Sequence, residues 1–157
     1  MKIAIIGTGT LGPQIAQVFA QSEWTEVVYL CKGRETSKDG KDKVVQAYQK
    51  LVAKEKISQE LADKYLAKIV SGTRELAADA DLLIEALSEN LEIKKEMFKA
   101  LDHLCKENCI FATNTSSLPI QEIGEGLSRP LIGMHFFNPA PVMKLVYISL
   151  NKPTLHG

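Results

Sequence analysis

Hydrophobic residues recur along this chain in two patterns, which predict alternating strands and helices. Short apolar runs rich in β-branched residues, such as residues 2–6, are typical of strands buried on both faces of a parallel sheet. Apolar positions spaced three and four apart predict helices with one buried face. Strands are predicted at residues 2–6, 26–30, 68–71, 81–87, 109–113, 131–135 and 143–148. Helices are predicted at residues 11–21, 43–54, 58–68, 90–106 and 120–126.

The repeated strand–helix units indicate an α/β fold, a Rossmann-type doubly wound and mostly parallel sheet. Two consecutive helices at about residues 41–70 interrupt the alternation, and they are predicted to form a helical hairpin inserted into this frame. Ser58 is placed to cap the second of them. The polar segment 32–42 before the hairpin is predicted to be a loop. A length of 157 residues suits one domain of this kind.

Composition and charge narrow the class of protein. Hydrophobic residues make up 45% of the chain and charged residues 24%, as in ordinary globular proteins. Nineteen basic and nineteen acidic residues give zero net charge, so no nucleic-acid or membrane partner is expected. No apolar run approaches the roughly 18 residues of a membrane span. Three cysteines without a CxxC pair predict reduced thiols, no metal site and a cytoplasmic location.

A GxGxxG motif follows the first predicted strand directly and opens the first predicted helix. This context is that of a dinucleotide-binding loop. Gly7 allows a tight turn, Gly9 lets the backbone approach a pyrophosphate, and Gly12 lets helix and strand pack closely. Backbone N–H groups of the loop, at Thr10 and Leu11, would then face the phosphates at the positive end of the helix. The alternative is an ordinary structural turn.

One part of the dinucleotide motif is missing. An acid that binds the ribose of NAD is expected about 20 residues on, at the end of the second strand. Cys31 stands there, followed by Lys32, Gly33 and Arg34. NAD remains the first choice of cofactor, and NADP is the alternative because the two cations could accommodate its 2′-phosphate. The cations could equally be solvated loop charges.

Polar side chains also follow two later strands. Residues 114–117, with Asn114 and Ser116, come after the strand at 109–113, and His135 ends the strand at 131–135. Because ligands bind at the carboxyl edge of open α/β sheets, both segments are candidates for a site beside the glycine loop. Residues 114–117 could instead form a turn and helix cap, and a lone histidine could be structural.

Four segments together resemble the 3-hydroxyacyl-CoA dehydrogenase family, of the 3-hydroxybutyryl-CoA dehydrogenase type, in its N-terminal NAD-binding domain. They are GTGTLGPQIA, IEALSENLEIKKEMF, FATNTSSLPI and MHFFNPAPVMKLV, and the resemblance extends to about Val146. It implies an oxidoreductase of fatty-acid or butanoate metabolism that interconverts 3-hydroxyacyl-CoA and 3-oxoacyl-CoA with a nicotinamide cofactor. It also implies that the helical hairpin lies over the acyl-CoA site.

The resemblance implies roles for individual residues. His135 would be the general base, Ser116 would hydrogen-bond the substrate or cofactor, and Asn138 would place the substrate. The resemblance also implies cofactor contacts for Asn114, Glu89 and Lys94. Lys54 and Lys56 are both candidates to contact the coenzyme A phosphates, and the sequence does not fix which of them does. From the residues alone, Glu89 would instead cap the following helix and Lys94 would be a solvated helix charge.

The chain departs from the family in two respects. Tyr147 stands where the family has a glutamate that orients the histidine, and no acid follows Glu125. The alternative function is therefore a catalytically impaired nucleotide-binding module. Residues 1–150 are expected to form the dinucleotide-binding domain and residues 151–157 a terminal coil. The second departure is that the family's helical C-terminal domain is not expected in this chain. The chain would then be either an isolated domain or a truncated gene product. The face exposed by that absence predicts self-association into a homo-oligomer.

Overall fold

The computed structural model describes residues 1–34 and 37–136, together with the backbone of a strand at 146–150. The strands are β1 Lys2–Ile6, β2 Val27–Cys31, β3 Ile69–Gly72, β4 Leu82–Glu85, β5 Ile110–Thr113, β6 Leu131–Phe136 and β7 Val146–Leu150. The helices are α1 Leu11–Ala20, α2 Lys41–Ala53, α3 Gln59–Leu66, α4 Leu91–Leu104 and α5 Ile120–Ile123, with a 3-10 helix at Arg74–Asp79. Within the described residues, no helix combines the length and apolar character needed to cross a membrane.

The strands form one sheet in the order β3-β2-β1-β4-β5-β6-β7. Strands β1 to β6 pair in parallel, and β7 pairs antiparallel with β6. Strand β1 lies between β2 and β4, so the connections run in opposite directions on its two sides. This is the topological switch point of a doubly wound sheet, where a crevice opens at the carboxyl ends of the strands. The predicted fold class is confirmed.

Two apolar cores lie on opposite faces of the sheet. Ile3 and Ile5 of β1 belong to one cluster and Ala4 and Ile6 to the other, because successive side chains of a strand point to opposite faces. The first cluster takes its helical members from α1, α2 and α3, and the second from the 3-10 helix, α4 and α5. Burial on both faces accounts for the continuous apolar runs from which the strands were predicted.

The two-helix insertion is formed by α2 and α3. The rings of Tyr48 and Tyr65 are 5.7 Å apart, and the Tyr48 hydroxyl donates to the Gln17 carbonyl of α1 at 2.8 Å. The Ser58 hydroxyl accepts from the Leu61 N–H at 3.1 Å, the predicted cap. Helix α2 begins at Lys41, inside the segment predicted to be a loop, where the Asp39 carboxylate accepts from the Lys41 N–H at 2.9 Å.

Several predicted boundaries differ from the structure, and three of them show what sets the end of an element. Strand β2 includes Cys31, because the Gly7 N–H donates to its carbonyl at 2.9 Å. The fifth helix ends at Ile123 and the chain turns at Gly126, where φ is +80°. Strand β7 continues to Leu150 because Ile132 of β6 pairs with it. The 3-10 helix was not predicted, and the expected coil at 151–157 lies outside the described residues.

Candidate functional site

The glycine loop joins β1 to α1, and each glycine meets a different steric demand. Gly7 has a φ of +126°, and a Cβ there would lie 2.6 Å from the Ala86 carbonyl oxygen. A Cβ on Gly12 would lie 1.8 Å from the Gly7 carbonyl oxygen. A Cβ on Gly9 would meet no atom of the described residues within 4 Å. The loop is therefore closely packed at both ends and open in the middle, as an approaching phosphate requires.

The start of α1 is also open. Helix α1 begins at Leu11, and within the described part of the chain the Thr10 side chain makes no cap bond to it. Its first N–H groups are thus left for a ligand, and they lie at the positive end of the helix dipole. Lys43 of α2 donates to the carbonyls of Thr8 at 3.0 Å and Gly9 at 3.2 Å, which fixes the loop from outside.

A groove of about 310 Å³ borders the loop on the side of β2 and β4. It is lined by Gly7, Thr8, Gly9, Gly33, Arg34, Ser37, Ala86, Leu87, Ser88 and Ile93. A second cavity of about 270 Å³ shares Gly33 and Arg34 with the groove and adds Lys32, Arg74 and Glu75. The cationic segment after β2 therefore lies where the ribose of a bound dinucleotide is expected.

Cys31 contributes to this region through its backbone. Its side chain is fully buried, and burial raises the pKa of the thiol to about 12. Its carbonyl accepts the Gly7 N–H, so the residue connects the end of β2 to the glycine loop. Lys32 and Arg34 are the neighbouring charged residues that line the cavity.

A buried ion pair lies beneath the same edge. Lys94 Nζ is 2.6 Å from Glu85 Oε2, and both side chains have zero exposure. Glu85 also accepts from the Thr113 hydroxyl at 2.5 Å and from the Leu87 N–H at 2.6 Å. Burial raises the pKa of Glu85, and the attraction of Lys94 and these hydrogen bonds oppose the rise. The interpretation of Lys94 as a solvated helix charge is wrong.

Glu89 organises the loop at residues 114–117. Its carboxylate accepts from the hydroxyls of Thr115 at 2.7 Å and Ser117 at 2.8 Å, and from the N–H groups of Ser116 and Ser117 at 3.1 Å each. Partial burial acts to raise the pKa of Glu89, but these hydrogen bonds outweigh it and hold the pKa at about 2. Glu89 is not the cap of α4. Asn90 is, since its side chain accepts from the Ile93 N–H at 3.1 Å.

Asn114 connects this loop to the strand that carries His135. Its side-chain oxygen accepts from the Phe136 N–H at 3.1 Å, one residue beyond His135. His135 is partly buried in β6, and its partner across the antiparallel strands is Tyr147 of β7. The structure thus brings Asn114, Ser116 and His135 to the carboxyl edge of the sheet that also bears the glycine loop.

The chain matches a known family over almost its full length. The model of the 3-hydroxyacyl-CoA dehydrogenase NAD-binding domain matches residues 2–155. The chain belongs to this family. It is accordingly an NAD-binding domain, and the resemblance noted in its four sequence segments is confirmed.

Similar proteins agree with this family. The chain is 43% identical to 3-hydroxybutyryl-CoA dehydrogenase of Clostridioides difficile, covering 94% of this chain and 53% of the relative. It is 38% identical to human mitochondrial hydroxyacyl-coenzyme A dehydrogenase, covering 93% and 49%. The crystal structure of (S)-3-hydroxybutyryl-CoA dehydrogenase from Ralstonia eutropha superposes with a TM-score of 0.84 at 37% identity, covering 94% and 53%. The chain spans about half the length of these relatives.

Among the predicted site residues in the described part of this family member, Lys54 and Lys56 do not line the groove or the cavity. Both lysines are exposed at the end of α2. Asn138 lies outside the described residues.

Three residues that shape the site were not predicted. They are Lys43, Glu85 and Thr113. Glu85 carried a usable signal, because it is a single acid within the apolar strand DLLIEAL and a buried charge needs a partner. The sequence held no such signal for Lys43, because its partners in the glycine loop stand 35 and 34 positions earlier in the chain.

Proposed function

We propose that this chain is the cofactor-binding half of a 3-hydroxyacyl-CoA dehydrogenase, which interconverts (S)-3-hydroxyacyl-CoA and 3-oxoacyl-CoA. One contact carries the proposal. The Asn114 side chain accepts from the Phe136 N–H and so holds the loop bearing Ser116 against the strand bearing His135. Relatives named 3-hydroxybutyryl-CoA dehydrogenase support a short-chain acyl-CoA thioester as the substrate.

The glycine loop fits a dinucleotide cofactor. The open space at Gly9 and the uncapped start of α1 would receive the diphosphate, and Gly7 and Gly12 keep the loop close to the sheet. A dinucleotide held there would supply the acceptor for the hydride that leaves C3 of the substrate. Lys32 and Arg34 would face the adenosine ribose, where they would tolerate the 2′-phosphate of NADP.

His135 is the proposed general base. One imidazole nitrogen accepts the proton of the substrate 3-hydroxyl as the hydride leaves C3, and the imidazolium returns that proton in the reverse reaction. The Ser116 hydroxyl donates a hydrogen bond to the same substrate oxygen, and Asn138 helps to place the substrate. Glu89 and Asn114 act on this chemistry by holding the loop at residues 114–117.

The test is reduction of acetoacetyl-CoA by NADH in the wild-type chain and in His135→Gln. General-base removal typically costs about 10²- to 10⁴-fold in rate, and we expect a loss in that range. His103→Gln is the matched control, because His103 is exposed in the last turn of α4. Turnover in wild type that is retained in full by His135→Gln would refute the assigned role of His135.

A second candidate is a nucleotide-binding module with impaired catalysis. It is favoured by Tyr147, which pairs with His135 in the register of β6 and β7 at the position of the family's glutamate. A tyrosine hydroxyl does not stabilise imidazolium as a carboxylate does. Loss of the orienting acid costs about 10⁴-fold in kcat in the serine-protease template. This candidate predicts NADH binding with negligible turnover in the wild-type chain, and a gain of turnover in Tyr147→Glu.

Self-association into a homo-oligomer and a cytoplasmic location stay predictions. Light scattering of the purified chain tests the first, and a mass equal to one chain would contradict it.

A further inference from the structure

Glu85 lies where three parts of the candidate site meet. It is the last residue of β4 and pairs with Ile6, the last residue of β1 before the glycine loop. Its backbone carbonyl accepts from the Asn114 N–H at 2.8 Å, at the start of the loop that carries Ser116. Its carboxylate accepts from the Leu87 N–H at 2.6 Å, and Leu87 lines the groove.

The ammonium of Lys94 extends these contacts. In addition to its bond with Glu85, this ammonium donates to the carbonyls of Leu87 at 3.2 Å and Asn114 at 3.4 Å. It also lies 3.5 Å from Glu89 Oε1. An ammonium has three donors, so these acceptors are enough to use them all. Because the Lys94 side chain has zero exposure, it connects the β4–α4 turn to the loop after β5 from inside the protein.

We propose that Glu85 is a positioning residue for the nicotinamide half of the cofactor, acting through Lys94 on Leu87, Asn114 and Glu89. This rests on the proposed function. The adenosine ribose is expected at the end of β2, on one side of β1. Strands β4, β5 and β6 lie on the other side of β1. The nicotinamide half would therefore extend over the elements that Glu85 and Lys94 connect.

A buried ion pair can often be replaced by well-packed apolar residues of similar volume without loss of stability, whereas removal of one partner is costly. An apolar pair would fill the space between β4 and α4, but it would not bind the carbonyls of Leu87 and Asn114 or Glu89. The position of the loops can therefore be tested separately from the stability of the fold.

The experiment measures the dissociation constants of NADH and ADP-ribose, which lacks the nicotinamide ring, for the whole chain. Glu85→Gln and the double variant Glu85→Leu/Lys94→Met are compared with wild type. Misplaced groups can cost up to about 100-fold in a reaction, and we expect both variants to weaken NADH binding about tenfold. ADP-ribose binding should change less than twofold. The double variant keeps the test valid if Glu85→Gln fails to fold.

Asp81→Asn is the matched control. Asp81 precedes the same strand at its other end and pairs with Lys106 at 2.6 Å, so its removal should alter neither dissociation constant. A folded double variant with the wild-type ratio of NADH to ADP-ribose affinity would overturn the positioning role alone. A wild-type chain that binds ADP-ribose but not NADH would instead overturn the proposed function, and with it this role.

Discussion

Lys94 Nζ lies 2.6 Å from Glu85 Oε2, and neither side chain is exposed. The lysine therefore lies inside the protein, between the ends of β4 and β5, and holds the loops that border the candidate site. Glu89 completes the arrangement from the exposed side, where its carboxylate binds the loop at residues 114–117. The edge that carries Ser116 and His135 is thus ordered by charged groups beneath and beside it.

The glycine loop predicts very different effects on stability for two alanine substitutions. Gly12→Ala places a Cβ 1.8 Å from the Gly7 carbonyl oxygen, so we expect at least about 3 kcal/mol of destabilisation. Gly9→Ala places its Cβ in open space, so we expect a change within about 0.5 kcal/mol. Chemical denaturation of the two variants and wild type measures both. Equal stability of the two variants would contradict the assigned packing.

The cationic segment after β2 predicts a selective effect on NADPH. Lys32 and Arg34 line one cavity where the 2′-phosphate of NADP would lie. A hydrogen bond to a charged group contributes about 1.5–3 kcal/mol, so Lys32→Ala/Arg34→Ala should lose about tenfold or more in NADPH affinity. NADH affinity should change much less, and wild type should bind NADH at least as tightly as NADPH. Fluorescence titration with both cofactors measures this.

Lys64→Ala is the control for that titration, because Lys64 is exposed on α3 and does not line the cavity. An equal loss of NADH and NADPH affinity in Lys32→Ala/Arg34→Ala would show that these cations do not bind the 2′-phosphate of NADP. A clear NADPH preference in wild type would contradict NAD as the first choice.

Glu89 predicts a dependence of stability on pH. Its pKa is about 2 in the folded chain against an ordinary 4.5, so its contribution is fully present above about pH 4.5 and is lost as the pH falls toward 2. Glu89→Gln should therefore destabilise the fold most at pH 7 and progressively less below pH 4.5. Because the side chain is 35% exposed, screening reduces the expected effect at pH 7 to about 1–2 kcal/mol.

Urea unfolding of wild type and Glu89→Gln between pH 7 and pH 3 measures this difference. Glu96→Gln serves as the control, since Glu96 is exposed in the middle of α4 and should show a small difference at every pH. A difference between wild type and Glu89→Gln that is constant with pH would contradict the assigned hydrogen bonds.

The fold could be predicted because its signals are local. β1 is an apolar run that ends at the turn glycine Gly7, and α4 has Ile93, Met97 and Leu101 at helical spacing. The antiparallel β7 could not be placed so well, because its ends depend on pairing with β6 across the chain. The 3-10 helix at Arg74–Asp79 has no comparable periodic signal.

The candidate site was predicted in part for the same reason. The glycine loop, Ser116 and His135 stand beside strand ends, where sequence position implies a place at the sheet edge. One of the two interpretations of Lys94 placed it in solvent, although it stands three, four and seven residues before Met97, Phe98 and Leu101, on the buried face of α4. The missed signal is a lysine on the apolar face of a helix, nine residues after an acid in an apolar strand.

The central claim is that the glycine-loop edge binds a nicotinamide dinucleotide, and calorimetric titration of the 157-residue chain with NADH tests it most directly. We expect saturable binding of one NADH per chain, weakened about tenfold or more in Gly9→Ala, whose Cβ would occupy the space of the diphosphate. A folded wild-type chain without saturable NADH binding, or a Gly9→Ala variant with unchanged affinity, would contradict the claim.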